Sequence, residues 1–162
     1  MKNTPVNIFW FRRDLRLNDN HGLYQALRDK NPVVPVFIFD KNILDKLSDK
    51  SDRRVEFIYN SILAIKEKLN SFGSEIEVIY STPQVAFESL INKYNIEKVF
   101  TNHDYESYAI ERDLDIKKLL EKQFHKAPNE LAFLCQVLLP RHAPTRCLFF
   151  ERLTILYTKI RR

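Results

Sequence analysis

Ile8-Phe9-Trp10-Phe11-Arg12-Arg13-Asp14-Leu15-Arg16-Leu17-Asn18-Asp19-Asn20 is the stretch on which the fold turns. Its first four residues are apolar without alternation, the pattern of a strand covered on both faces rather than one with a wet side. The strand runs directly into three arginines and an aspartate within five positions. Such a cluster suits the rim of a ligand cleft better than a core. Asn18-Asp19-Asn20 then offers side-chain oxygens able to cap the free N–H groups of a helix. Buried strand, charged loop and capped helix together make the opening of an α/β unit.

The same alternation continues outward from that segment. Helical spacing of Leu23 and Leu27 predicts a helix over residues 20–29, and Val33 to Phe39 reads as a second buried strand. Pro35 has no N–H to donate, which places that strand toward a sheet edge. A longer helix is expected over 52–72, with Val55, Ile58, Ile62, Ile65 and Leu69 on one stripe and Gly73 just past its end. Ile76 to Tyr80 is the third strand. Pro83 opens the next helix at its first turn, where a missing N–H costs nothing, and Val85, Leu90, Ile91 and Tyr94 supply its apolar face. Residues 98–102 form the fourth strand. Residues 106–124 form the last helix, with Ile110, Leu114, Ile116, Leu119 and Leu120 apolar. A repeated β-α order implies an α/β fold, a Rossmann-like doubly wound parallel sheet of four to five strands with helices on both faces.

Charge is distributed unevenly along the 162 residues. Residues 1–124 hold 19 Lys+Arg and 19 Asp+Glu, whereas residues 125–162 hold 7 and 2 and carry the whole net charge of +5. Three of the seven prolines and both cysteines also lie beyond residue 124. The chain therefore divides into an α/β domain, 1–124, and a divergent basic tail, 125–162. No apolar run reaches the length of a membrane span. The N-terminus lacks the pattern of a secretory signal, so a cytoplasmic location is expected. Cys135 and Cys147 are too few for a disulfide framework and lack the spacing of a zinc site.

In parallel sheets of this kind ligands sit outside the carboxyl ends of the strands. Those ends carry Arg12 to Asn20, Asp40, Ser81-Thr82 and Asn102 to Glu106. There is no GxGxxG and no P-loop, and Gly22 and Gly73 are the chain's two glycines. A ligand is thus held by side chains rather than by bare backbone. Arg12, Asp14, Asp40, Arg54, Asp104 and Glu106 are the candidate binding residues. Each has a second reading: Arg12, Asp14 and Arg16 as an ion-pair network on the sheet rim or a contact to another domain, and Asp40 as the cap of a turn. Arg54, near a helix start, is misplaced relative to the helix dipole unless a ligand or carboxylate recruits it.

Trp10 to Asn20 resembles the first strand and loop of the DNA photolyase/cryptochrome family. Asp40 to Leu44, Arg53 to Ile58 and Asn102 to Asp113 resemble later segments of it in the same order. The resemblance covers about the first 124 residues, the family's N-terminal α/β domain. It implies a partner, the FAD-binding helical domain, in which light-driven electron transfer repairs damaged DNA. The absence of that domain from these 162 residues leads to the expectation of a truncated chain without catalytic residues. It further implies a light-harvesting antenna chromophore in the α/β domain. Members with a folate antenna carry an Asn-Glu pair where this chain has Tyr108-Ala109, so a deazaflavin or flavin is expected over folate, with Asp40, Arg54 and Asp104 toward it. A domain without an antenna stays open. So does the alternative function, a stand-alone nucleotide-binding or interaction domain without light chemistry.

The tail departs from the family. Leu131 to Leu139 can supply a fifth strand, and Cys147 to Arg162 has the spacing of a basic amphipathic helix that could bind an acidic partner or nucleic acid. A replaced or frame-altered C-terminus is the third reading.

Overall fold

The computed structural model describes residues 4–48, 52–124 and 133–135. Its elements run β1 (Pro5–Phe11), α1 (His21–Arg28), β2 (Val33–Asp40), α2 (Lys41–Leu44), α3 (Arg53–Ser71), β3 (Glu77–Ser81), α4 (Pro83–Lys93), β4 (Asn95–Thr101), α5 (Ser107–Phe124) and β5 (Phe133–Cys135). The strands form one parallel sheet in the order β3-β2-β1-β4-β5. The chain builds outward from β1 to β3, returns, and adds β4 on the other side of β1. The strand order therefore reverses between β1 and β4.

Side chains of β1 alternate between two cores, because successive residues of a strand point to opposite faces. Ile8 and Trp10 pack with Val36, Ile38, Phe87, Leu90, Ile116 and Leu120 beneath α4 and α5. Phe9 and Phe11 pack with Leu23, Phe37, Ile62, Ile65 and Leu69 beneath α1 and α3. T-shaped ring pairs occur in each, Trp10–Phe87 at 5.1 Å and Phe9–Phe11 at 4.6 Å between centroids.

Helix ends follow local chemistry. Asn20 accepts from the Leu23 N–H to cap α1, and Asp19 before it takes φ +52°, a conformation Asp tolerates. Asp52 accepts from the Arg54 N–H to cap α3. At the far end Gly73, at φ +71°, sends its N–H to the Asn70 carbonyl while Ser74 donates to that of Leu69. That double closure is the Schellman motif, which asks for a residue without a Cβ.

Three expectations are corrected. Strand β2 is interior, flanked by β1 and β3. Pro35 is tolerated there because the ladder to β3 begins only at Val36↔Glu77, so the missing N–H falls ahead of it. On α4 the buried residues are Pro83, Ala86, Phe87 and Leu90, while Val85 is exposed. On α5 Ala109, Asp113, Ile116 and Leu120 face inward, and Ile110 and Leu114 are exposed. The strand expected within 131–139 is the three residues of β5, paired with β4. The helix expected over 147–162, and the acidic or nucleic-acid partner tied to it, lie outside the described residues.

Candidate functional site

The crevice between β1 and β4, where such folds usually take ligands, is filled by the protein's own side chains. Arg12 leaves the end of β1 and donates from Nη1 to both carboxylate oxygens of Asp113 on α5, at 2.9 and 2.8 Å. It also donates from Nε to Thr101 Oγ1 at 2.8 Å, and from Nη2 to the Asn102 carbonyl. Its side chain is 7% exposed. Asp14 turns back on the same loop, accepting from the Arg12 N–H at 3.0 Å, from Asn20 Nδ2 at 3.1 Å and from Asn102 Nδ2. Asn102 Nδ2 also donates to Asn20 Oδ1 at 2.9 Å, and Asn102 Oδ1 accepts from the Gly22 N–H at 2.9 Å. The network ties β1, α1, β4 and α5 into one rigid block, and every buried polar group in it has partners.

Beside that block lies a cleft of about 510 Å³, outside the ends of β1 and β2 and under the loop between β4 and α5. Its apolar walls come from Phe37 and Phe39 of β2, Ile43, Leu44 and Leu47 beyond it, and Val55 and Ile58 of α3. Polar groups stand at defined places around these walls. Tyr108 Oη donates to Asp40 Oδ2 at 2.5 Å, while Asp40 Oδ1 accepts from the Asn42 N–H at 2.9 Å and so caps α2. Burial, and then the hydrogen bond to the Asp40 carboxylate, raises the Tyr108 pKa and keeps the phenol protonated. Arg13 bridges Glu106 and Asp104, its Nε lying 3.5 Å from Asp104 Oδ2. The hydrogen bond to Glu106 is the main cause of its raised pKa. Arg54 is held by Asp52 at 2.5 Å and stays 77% exposed at the rim. That hydrogen bond, followed by the one from the Arg54 N–H, lowers Asp52 from 3.8 to about 2.

The structure thus brings Arg12, Asp40, Arg54, Asp104 and Glu106 to the lining of one cleft and leaves Asp14 outside it. Arg12 contributes to the cleft floor, since its guanidinium is fully engaged beneath. The carboxylate that recruits Arg54 at the helix start is Asp52, its own cap residue. Tyr108, Arg13 and Arg112 join the lining, and the Arg112 guanidinium lies over the Trp10 ring at 4.8 Å. Spacing alone does not place them in the cleft, although Arg13 belongs to the charged segment after β1, while Tyr108 and Arg112 lie on α5 within the Asn102 to Asp113 stretch. Among the described residues no group of three or more His, Cys, Asp or Glu could hold a metal ion. No helix among them is long and apolar enough to cross a membrane.

Comparison with known proteins agrees with this architecture. A family model described as DNA photolyase matches residues 7–146. A deoxyribodipyrimidine photo-lyase of Halobacterium salinarum is 31% identical over 137 residues, covering 75% of this chain and 28% of that protein. Cryptochrome-1 of Erithacus rubecula is 32% identical over 112 residues, covering 69% and 18%. The archaeal photolyase of Sulfolobus tokodaii, solved with two FAD molecules and interpreted as implying a novel light-harvesting cofactor, superposes with a TM-score of 0.66 at 38% identity. It is covered over 27% of its length by 72% of this chain. The chain therefore spans 28% or less of the length of these curated relatives.

Proposed function

Because the chain belongs to the DNA photolyase/cryptochrome family and matches its N-terminal α/β domain, we propose that the cleft outside β1 and β2 holds a light-harvesting chromophore. The observation that carries this reading is the pairing of a volume of about 510 Å³ with largely apolar walls and a few polar side chains, Asp40 and Tyr108 within it and Arg54, Asp104 and Glu106 around it. Small-molecule sites typically combine these features at this size. A tricyclic flavin or deazaflavin fits such walls better than folate, because Tyr108 and Ala109 replace the Asn-Glu pair of folate-binding members. The two FAD molecules of the Sulfolobus tokodaii relative support a flavin.

When bound, the chromophore supplies the absorption of light. The protein's part is to hold it still, because energy transfer depends on distance and orientation. Phe37, Phe39, Ile43 and Ile58 line the cleft and would offer the rings apolar contact. Asp40 and Tyr108 offer hydrogen bonds to one edge, and Asp104, Glu106 and Arg54 to the rim. Arg12 acts below, fixing β1 to α5 through Asp113, and Asp14 ties the loop after β1 to Asn102. In a complete protein, light harvested here would serve an FAD-bearing helical domain acting on damaged DNA, or blue-light sensing.

Titration of the purified chain with riboflavin, FMN, a deazaflavin and a folate, followed by visible absorption and fluorescence anisotropy, tests the reading. Saturable binding of flavin or deazaflavin, weakened by Asp104→Asn or Arg54→Ala, is expected. A chain that took folate in preference, or adenine nucleotides and no ring chromophore, would overturn it.

A further inference from the structure

Two oxidisable side chains line the cleft, and their surroundings set them apart. Trp10 has guanidinium groups over its ring from both Arg12, at 5.2 Å, and Arg112, at 4.8 Å. Both cations share a single counter-ion, Asp113, so the indole sits in a net positive field. Removing an electron from Trp10 would place a third positive charge there, at a Coulombic cost that burial magnifies. Tyr108 shares one of these cations, with Arg112 5.8 Å from its ring centroid, and differs in what its hydroxyl meets. Its hydroxyl is hydrogen-bonded at 2.5 Å to Asp40 Oδ2, a buried carboxylate able to accept a proton. A positive charge arising on this phenol can leave at once as a proton along that bond.

We infer that Tyr108, with Asp40 as its proton acceptor, is a photochemical electron donor to a flavin seated in the cleft. The inference rests on the chromophore-binding reading above. In the step, Tyr108 gives one electron to the light-excited flavin, its O–H bond breaks, and the proton passes to Asp40 Oδ2. Tyr108 becomes a neutral phenoxyl radical, Asp40 a carboxylic acid, and the flavin is reduced by one electron. Return of the electron and proton restores all three groups. Tyr108 is part of the cleft lining, beside Asp40, Ile43 and Ala109, so a flavin seated in the cleft shares its walls with the phenol. Asn42 Nδ2, which donates to Tyr108 Oη at 3.2 Å, keeps the phenol aimed at Asp40. The domain is then photochemically active in its own right: excitation not handed onward is drained as charge separation at Tyr108.

The test is time-resolved fluorescence and transient absorption of riboflavin bound to the full chain, with the bound fraction fixed by anisotropy. The bound flavin's excited state should be several-fold shorter-lived than in Tyr108→Phe, and a tyrosyl radical should rise as it decays. Quenching should slow in D2O, and Asp40→Asn should slow it and abolish that isotope effect. A lifetime unchanged in bound Tyr108→Phe, or a tryptophanyl radical in place of the tyrosyl one, overturns the inference while leaving the binding reading intact. Failure of every flavin to bind sinks both.

Discussion

Asn102 does more to join the molecule than its polar character suggests. Its side-chain Nδ2 donates to Asp14 and Asn20 of the β1–α1 segment, while its side-chain Oδ1 accepts from the Gly22 N–H. This closeness requires Gly22: a Cβ there would meet Asn102 Oδ1 at 2.6 Å and the Phe9 ring at 3.0 Å. Both obstacles are fixed, one by its hydrogen bonds and the other by the core. Gly22→Ala should therefore destabilise the protein by about 1–3 kcal/mol, the usual cost of overpacking a filled site, measured as a lower urea midpoint. A midpoint equal to the parent's would mean that the Asn102 loop yields freely. The Arg12–Asp113 pair is of the same kind. Because these groups are buried, removing Asp113 leaves the guanidiniums of Arg12 and Arg112 without their shared counter-ion, whereas removing Arg12 still leaves Asp113 paired with Arg112.

Elements carry their own signals where the chemistry is local. The cap of α3 is one, for Asp52 stands at the helix start in the sequence and accepts from the Arg54 N–H in the structure. The side chain of Arg54 completes a contact that lowers the Asp52 pKa from 3.8 to about 2. A carboxylate with a depressed folded pKa adds stability that is present above its unfolded value and is lost as the pH falls through the folded one. The advantage of the parent over Asp52→Asn, which keeps a capping oxygen but cannot ionise, should hold at neutral pH. It should fade as the pH drops from 3.8 toward about 2, and it should be modest, since the pair is exposed. Urea midpoints across that range measure it, and an equal gap at both ends would remove the charge from the explanation. Periodicity was a weaker guide on α4 and α5. Val85, Ile110 and Leu114 are apolar yet exposed, whereas Asp113 points inward because Arg12 awaits it. A hydrophobicity pattern has no means to register a buried ion pair whose partner lies 101 residues away.

At the scale of the whole molecule, β1 belongs to both cores, and this explains what its sequence revealed and what it withheld. The unbroken apolar run was legible as a strand buried on two faces, and from it the parallel sheet follows. The strand order was not. Pro35 pointed to an edge, while its actual neighbours were decided by where the β3 ladder starts. The cleft was half legible, through charges at strand ends, but the contacts that set Tyr108 against Asp40 and Arg13 against Glu106 join segments distant in sequence. The shared strand also has a thermodynamic consequence. Ile8 and Trp10 cannot leave one core while Phe9 and Phe11 remain seated in the other, so the two faces should unfold together. Phe87, fully buried and packed edge-on to Trp10, is the place to test this. Phe87→Ala should cost about 3–5 kcal/mol. The loss should appear at the same urea concentration in the fluorescence of Trp10, the chain's one tryptophan, and in far-UV circular dichroism, which reports helices on both faces. Coincidence of the two curves is the mark of a two-state transition. Were the fluorescence to fall first while helical signal persisted, the α1/α3 face would be standing without its partner, and the view of β1 as a strand that couples two cores would have to be given up.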